Sequence, residues 1–285
     1  MKRLFFSILF LLIAFISKAQ SMQDLKTATA FVYVQSGTTA IPYGTCFFTS
    51  IKSPSNPNAV FVYLVTAKHV LQDKGGAFLN RIFVRINHKD STSSLEPITL
   101  NISGKDKNIF ISNDLSVDVA VVPVTINTTV LNVRFLDDSF LSNRQEFKSL
   151  NLQEGNEAFF TGLFTGYLGN KQIYPIVRFG RVALIPNEKI LFTGQNRELL
   201  LIESSSFGGN SGAPVYFKIV LPNGTTMLKL GGILNGTFRD MSEVVEASGK
   251  DVPLVTLNNN GISGITPIYL LEDILFGSDL LMKRK

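Results

Sequence analysis

The sequence has one cysteine, two histidines and no tryptophan among its 285 residues. Cys46 cannot form an intrachain disulfide, so the fold must be stabilised by packing; with Phe47 and Phe48 beside it, we expect it to be a small buried apolar residue. So few His and Cys residues argue against a zinc site, and we expect no metal and no other cofactor. The sequence has 27 basic and 22 acidic residues, and three of the basic ones, Lys2, Arg3 and Lys18, lie in the first twenty residues. The 24 that remain nearly balance the acids, which argues against a nucleic-acid partner.

Long apolar runs are also scarce, apart from one near the start of the chain. It covers Leu4 to Ile16, follows the basic Lys2 and Arg3, and precedes Ala19. This pattern predicts a secretory signal peptide over residues 1–20, cut after Ala19 or Gln20. The alternative is an uncleaved membrane anchor, but the run is shorter than the roughly 18 to 20 residues that cross a bilayer. We therefore expect an exported protein, secreted or periplasmic, with no membrane span in its mature chain.

The rest of the chain shows the pattern of an all-β protein. Short runs rich in Val, Ile, Phe and Thr are interrupted by Gly, Pro, Asn and Ser clusters, which is typical of sandwiches and barrels. Near the end, Thr266 and Pro267 occupy the N-cap and first positions of a predicted amphipathic helix. The predicted organisation is an N-terminal β-domain at 21–137, a linker at 138–157, a second β-domain at 158–265, and a helix with a basic tail at 266–285.

One stretch presents a candidate nucleophile. In "SSSFGGNSGAPVYF", residues 204–217, Ser211 follows Asn210 and precedes Gly212. Glycines allow backbone conformations that other residues resist, so such a turn can direct the amides of Gly209 and Ser211 towards one point. That arrangement is an oxyanion hole, which stabilises negative charge on a carbonyl oxygen under attack. The alternative is an ordinary glycine-rich hairpin.

A serine nucleophile needs a base, and the base needs an orienting group. His69 ends an apolar run in "YLVTAKHVLQ", whereas His88 lies in the charged turn "NHKDSTS". Asp118 opens the apolar strand "SVDVAVVPV", where an unpaired carboxylate would be costly. Asp114, in a polar turn, is the alternative. His69, Asp118 and Ser211 follow one another in the chain order of one known type of catalytic triad.

With these motifs the sequence resembles the trypsin-like (chymotrypsin-fold) serine peptidases. "VTAKHV", "DVAVV" and "GGNSGAPV" resemble the family's histidine, aspartate and nucleophile segments, and the nucleophile loop is similar to bacterial glutamyl endopeptidases and the HtrA group. The resemblance implies two six-stranded β-barrels with the site between them. It also implies that Ser211 is the nucleophile, His69 the general base and acid, and Asp118 the orienting group, with oxyanion amides from Gly209 and Ser211.

The same resemblance places the substrate pocket and bears on activation. Ser205 would form the floor, and Asn235, Gly236 and Thr237 one wall. The lack of an acid at Ser205 argues against a Lys or Arg preference, and Asn235, where glutamyl endopeptidases have a histidine, weakens a Glu preference. Asn210 stands where digestive members have an acid that pairs with a new N-terminus. We expect its amide to hold the loop without proteolytic activation; Glu203 is the alternative acid.

The expected function is a secreted serine endopeptidase that acts on polypeptides through Ser211, His69 and Asp118. Two alternatives stay open from the sequence: a secreted β-domain that binds without catalysis, and an esterase that uses the same triad. The sequence gives no indication of oligomeric state.

Overall fold

The computed structural model describes residues 21–56, 58–221, 224–245 and 251–284. The predicted signal peptide, residues 1–20, lies outside the described residues. Within the described ranges the elements are α1 Met22–Thr27, β1 Thr29–Ser36, β2 Thr39–Lys52, β3 Val60–Thr66, β4 Arg81–Asn87, β5 Ser93–Thr99, β6 Phe110–Ile111, β7 Ala120–Pro123, α2 Arg144–Ser149, β8 Glu157–Gly162, β9 Ile176–Leu184, β10 Ile190–Phe192, β11 Gln195–Arg197, β12 Leu200–Glu203, β13 Pro214–Val220, β14 Thr226–Val245, β15 Asp251–Pro267, α3 Ile268–Leu275 and α4 Ser278–Lys283.

The second half of the strands closes into a barrel. Six strands pair antiparallel in the cyclic order β12-β15-β14-β13-β8-β9. Closure leaves no free edge where all six strands pair, and their inward side chains fill the interior. The all-β fold class and the six-stranded C-terminal barrel predicted from the sequence are confirmed.

The first half differs from the expected six-stranded barrel. Its strands form a seven-stranded sheet in the order β5-β4-β1-β2-β3-β7-β6. The edge strands β5 and β6 are not paired; instead, the backbone carbonyl of Asn101, just after β5, accepts from the amides of Asn108 and Ile109, just before β6. A loop therefore joins the two edges where a strand ladder would close a barrel, and the number of strand-like runs in a sequence does not reveal this.

Alternating apolar residues explain how these strands build their cores. In β4, Ile82, Val84 and Ile86 are buried, while the residues between them are more exposed. Because successive strand residues point to opposite faces, this places one apolar row against the core. The buried Phe47 and Phe48 of β2 point to opposite faces, and they belong to two different apolar clusters. Strand β2 is therefore covered by apolar residues on both faces.

The segment predicted as a linker carries structure of its own. Helix α2 begins after Asn143, whose side chain accepts from the Gln145 and Glu146 amides, and this cap satisfies otherwise unpaired N–H groups. Arg144 pairs with Glu198 at 2.5 Å and stacks on the ring of Tyr269 in α3 at 4.1 Å. The linker is thus bound to the C-terminal helix.

The C-terminal helix was predicted slightly too early. Helix α3 begins at Ile268 with Pro267 as its N-cap, and Thr266 still belongs to β15. The Thr266 hydroxyl donates to the Asn235 side chain at 2.8 Å, so it serves the barrel and not the helix. A further helix, α4, stands where the sequence predicted only a basic tail. Among the described residues, no helix is both long enough and apolar enough to span a bilayer.

Two hairpins stand beside the barrel opening, and the sequence patterns predicted neither. Strands β14 and β15 stay paired to Val245 and Asp251, well past the barrel. Strands β10 and β11 form a separate two-stranded sheet. Its tight turn uses Thr193 and Gly194, both with positive φ, as the twist of a two-residue hairpin requires.

Candidate active site

The loop between β12 and β13 holds Ser211 in a fixed backbone conformation. Gly209 and Gly212 have φ angles of +91° and +88°, a region that favours glycine. A Cβ on Gly212 would lie 2.1 Å from the Thr45 carbonyl oxygen and 2.2 Å from Thr66 Oγ1. The Thr45 amide in turn donates to the Ser211 carbonyl at 2.9 Å. The loop therefore packs directly against β2 and β3 of the first sheet, and only glycine fits at position 212.

Asn210 anchors the same loop from inside. Its side chain is 1% exposed; Oδ1 accepts from the Phe207 amide at 2.9 Å, and Nδ2 donates to the Leu163 carbonyl at 2.5 Å. Thr45 supports this arrangement, because its hydroxyl donates to the Gly209 carbonyl at 2.7 Å and accepts from the Leu163 amide at 3.0 Å. An uncharged amide thus satisfies both backbone groups, as the sequence led us to expect. Glu203, the alternative acid, is exposed.

The backbone amides of Gly209 and Ser211 are the two predicted to form an oxyanion hole. Within the part of the chain that the structure describes, the amide N–H groups of Gly209 and Ser211 have no hydrogen-bond acceptor. Their neighbours differ: the amides of Asn210 and Gly212 donate to the carbonyls of Phe207 and Leu234 at 3.0 and 2.7 Å. Two free donors beside the Ser211 side chain can bind a carbonyl oxygen of a ligand.

His69 and Asp118 are in direct contact. His69 lies on a 3-10 turn, Lys68–Leu71, after β3, and Asp118 lies just before the neighbouring strand β7. The His69 ring Nδ1 is 2.7 Å from Asp118 Oδ2, and the His69 amide donates to Asp118 Oδ1 at 3.0 Å. A carboxylate only accepts, so Nδ1 carries the proton and Nε2 is left as the acceptor.

The Asp118 carboxylate is 2% exposed but well stabilised as an anion. Burial raises its pKa, yet the hydrogen bonds and charge from His69, together with the charge of Arg197, outweigh burial and hold the pKa below the ordinary range. Oδ2 accepts from Arg197 Nη1 at 2.8 Å and from Asn235 Nδ2 at 2.9 Å as well as from His69. Asp118 is therefore charged and fixed in orientation.

Asn235 lines the cleft, as predicted, and it also has a role that the sequence did not suggest. Its side-chain Nδ2 donates to Asp118, and Oδ1 accepts from the backbone amide and hydroxyl of Thr266, each at 2.8 Å. Its backbone carbonyl accepts from Ser211 Oγ at 2.9 Å. The residue is 3% exposed and links the aspartate, the serine and strand β15.

Ser211 and His69 share one cleft. The Ser211 hydroxyl is bonded to the Asn235 carbonyl, and among the described residues no hydrogen bond joins it to His69. Both side chains line a cavity of about 1030 Å³. A rotation of the serine hydroxyl away from Asn235 is needed before His69 can accept its proton, and such bonds often tighten only in the substrate complex.

The cleft also shows where the predicted pocket residues lie. Gly236 and Thr237 line it, as expected, but Ser205 is exposed and Ser206 lines the cleft instead. The prediction for Ser205 was wrong by one residue, because neighbouring residues of an extended segment point in opposite directions. Ser206, 1% exposed, accepts at its hydroxyl from Ser263 at 2.8 Å.

Asn259 of β15, which the sequence did not suggest, joins the two sides of the cleft. Its Nδ2 donates to the Ser206 carbonyl at 2.6 Å, and its Oδ1 accepts from the Thr237 hydroxyl at 2.7 Å. Oδ1 also accepts from the Gly261 amide at 2.9 Å. An uncharged side chain thus links the Ser206 side of the cleft to the Thr237 side.

The other candidate groups lie elsewhere. His88 Nε2 bonds to Ser94 Oγ at 2.6 Å on the first sheet, and Asp114 pairs with Lys189 at 2.9 Å. Cys46 is fully buried, and burial raises its pKa far above the ordinary value, so its thiol is no nucleophile. Among the described residues, no group of His, Cys, Asp and Glu side chains is arranged to hold a metal ion.

Comparison with known proteins finds likenesses among solved structures only. No protein-family model matches the sequence, and no curated protein matches it. Among solved structures, the chain is similar to the apo crystal structure of the MamO protease domain from Magnetospirillum magneticum, with 15% sequence identity. The match covers 88% of this chain and 97% of the other, with a TM-score of 0.49. A likeness this distant says nothing about the roles of individual residues here.

Proposed function

We propose that this protein is an exported serine endopeptidase. Ser211 is the nucleophile, His69 the general base and acid, and Asp118 the group that orients His69. The observation that carries the proposal is the joint geometry of one cleft: the His69–Asp118 pair at 2.7 Å, the serine hydroxyl, and two free amides beside it. Separate structural roles for these residues would not require that they face the same cavity.

The chemistry follows from this placement. Ser211 Oγ turns from the Asn235 carbonyl, gives its proton to His69 Nε2, and forms a bond to the carbonyl carbon of the substrate. The carbonyl oxygen becomes an oxyanion and accepts from the amides of Gly209 and Ser211, an interaction worth about 10²–10³ in rate per donor. His69 then protonates the amine as the C–N bond breaks. In the second half water attacks the acyl carbon and gives a proton to His69, which returns it to Ser211 Oγ as the ester bond breaks.

A free strand edge favours a polypeptide substrate. Strand β13 pairs with β14 only as far as Ile233, and on that side no described strand pairs with β14 from Gly236 to Arg239. Gly236, Thr237 and Arg239 line the cleft that contains Ser211. An extended peptide can add to such an edge through main-chain hydrogen bonds, whereas a small ester cannot use it in the same way.

Hydrolysis of a peptide library by the chain from Ser21 onward, and by its Ser211→Ala variant, tests the proposal. The variant loses only the attacking oxygen, so peptide turnover falls by about 10⁴–10⁶ while thermal unfolding stays the same. Equal turnover in both proteins would place the chemistry elsewhere. Absence of turnover in both would favour the non-catalytic binding protein, and faster cleavage of small esters than of any peptide would favour the esterase.

A further inference from the structure

The hairpin formed by β10 and β11 brings a positive charge to Asp118. Arg197, the last residue of β11, donates from Nη1 to Asp118 Oδ2 at 2.8 Å, and its side chain is only 13% exposed. This is the oxygen that also contacts His69. The arginine therefore shares the carboxylate with the proposed general base.

Packing and hydrogen bonds hold Arg197 in this place. Phe192 pairs with Gln195 across the hairpin, and its ring centroid lies 6.0 Å from the Arg197 guanidinium carbon. Phe192 is 5% exposed and packs on Phe238 of β14 with 4.8 Å between ring centroids. Gln195 accepts from Arg197 Nη2 at 3.3 Å. The hairpin thus packs on the barrel, and this packing holds the Arg197 side chain against Asp118.

We propose that Arg197 is a positioning residue that compensates the Asp118 charge while His69 is neutral and weakens the attraction of Asp118 for protonated His69. The proposal rests on the proposed function. A 2%-exposed carboxylate facing a neutral imidazole would otherwise be a buried and uncompensated anion. Once His69 takes up the serine proton, Arg197 repels the new positive charge and favours transfer of the proton to the leaving group.

The other charged groups near the pair bond elsewhere or are exposed. Lys68, next to His69, donates to the Leu115 carbonyl at 2.6 Å, and burial lowers its pKa. Asp114 is paired with Lys189 at 2.9 Å. Arg239 lines the outer cleft and is exposed. Among the described residues, Arg197 is the Lys or Arg side chain that donates a hydrogen bond to Asp118, and it shares the carboxylate with His69.

The strength of the repulsion between Arg197 and protonated His69 can be judged from their contacts with Asp118 Oδ2. Since Arg197 Nη1 lies 2.8 Å and His69 Nδ1 2.7 Å from the same oxygen, the two nitrogens are no more than about 5.5 Å apart. The side chain of His69 is 43% exposed, so water screens part of the interaction. Removing one positive charge at such a distance from an imidazole is expected to raise its proton affinity by about one pH unit.

Three variants test the proposal: Arg197→Gln, Arg197→Lys, and Arg134→Gln as a control that removes one exposed arginine from an ion pair with Asp24. In Arg197→Gln, the acid limb of the kcat/KM profile moves up by about one pH unit, and Arg197→Lys and the control keep the wild-type profile. A lower rate in Arg197→Gln with an unmoved profile would overturn the proposal and leave a structural role only. Thermal unfolding verifies that each variant is folded.

A second readout does not depend on activity. In a His88→Gln background His69 is the only imidazole of the mature chain, and NMR follows its ring as pH changes. The midpoint moves up by about one pH unit in Arg197→Gln, even if the protein hydrolyses nothing. An unmoved midpoint contradicts the role of Arg197, whereas a moved midpoint without hydrolysis keeps that electrostatic coupling and rejects the peptidase.

Discussion

Replacing Asn210 by aspartate changes one NH₂ group into an oxygen and tests how the nucleophile loop is held. The side chain is 1% exposed, and its Nδ2 donates to the Leu163 carbonyl at 2.5 Å. An ionised carboxylate in its place would face that carbonyl oxygen without a proton to donate. A protonated carboxyl can still donate to Leu163 and accept from Phe207. We therefore expect Asn210→Asp to fold with the new carboxyl protonated.

The cost can be worked out from this requirement. Keeping a carboxyl with an ordinary pKa of about 3.9 protonated at pH 7 costs about 4 kcal/mol, and the cost changes by about 1.4 kcal/mol per pH unit. The folded-state pKa of the new group is raised, so the variant is as stable as the wild type below about pH 4 and loses stability as pH rises. The upper limit is set by the buried anion itself, about 3–5 kcal/mol.

Urea unfolding of the wild type and Asn210→Asp between pH 4.5 and 7.5 measures this difference. Asn143→Asp is the matched control, because Asn143 caps α2 at a position where Asp is an equally good cap. The control should stay within about 0.5 kcal/mol of the wild type at every pH. A pH-independent loss in Asn210→Asp, or no loss at pH 7, would refute the view that the amide holds the loop through both of its hydrogen bonds.

Three further predictions concern Gly212, Cys46 and an N-terminal extension. Gly212→Ala should unfold the nucleophile loop and cost more than about 2 kcal/mol, because its Cβ would lie 2.1 Å from the Thr45 carbonyl oxygen; thermal unfolding and peptide turnover check this. Cys46 should resist iodoacetamide in the folded protein and react after denaturation, since burial raises its pKa; alkylation of the native protein would contradict this. Active-site titration should give equal active fractions for residues 21–285 with and without an N-terminal extension, because Asn210 already orders the loop; activity only after removal of the extension would argue for proteolytic activation.

Local motifs were sufficient to predict three of the residues that line the cleft, namely His69, Asp118 and Ser211. His69 and Ser211 lie in short segments whose patterns are visible without any long-range information. Asp118 stood out because a carboxylate opening an apolar strand needs a partner, and the structure supplies His69 at 2.7 Å. Asn210 could be interpreted in the same way, since an amide next to glycines has backbone groups to bond. Residues whose role is indicated by the few positions beside them in the sequence could therefore be predicted.

Residues that reach the site through tertiary structure were not accessible. Arg197 lies in the polar stretch "TGQNRE", which has the pattern of a surface turn, and only docking of the hairpin brings it to Asp118. Asn259 bonds to Ser206 across the cleft because β15 continues beyond the barrel. The error at Ser205 has the same origin. Which of two adjacent residues in an irregular segment faces the cleft depends on tertiary contacts, and no local sequence pattern contains them.

The most direct test of the central claim is covalent labelling with a fluorophosphonate, read out by intact mass and peptide mapping. Its phosphorus reacts with a serine that a neighbouring base activates. The account predicts one adduct, on Ser211, in the chain from residue 21 onward, and none in His69→Ala or after denaturation. A folded wild-type protein that takes up no label, or that is labelled equally in His69→Ala, would contradict the claim that Ser211 and His69 act together as nucleophile and base.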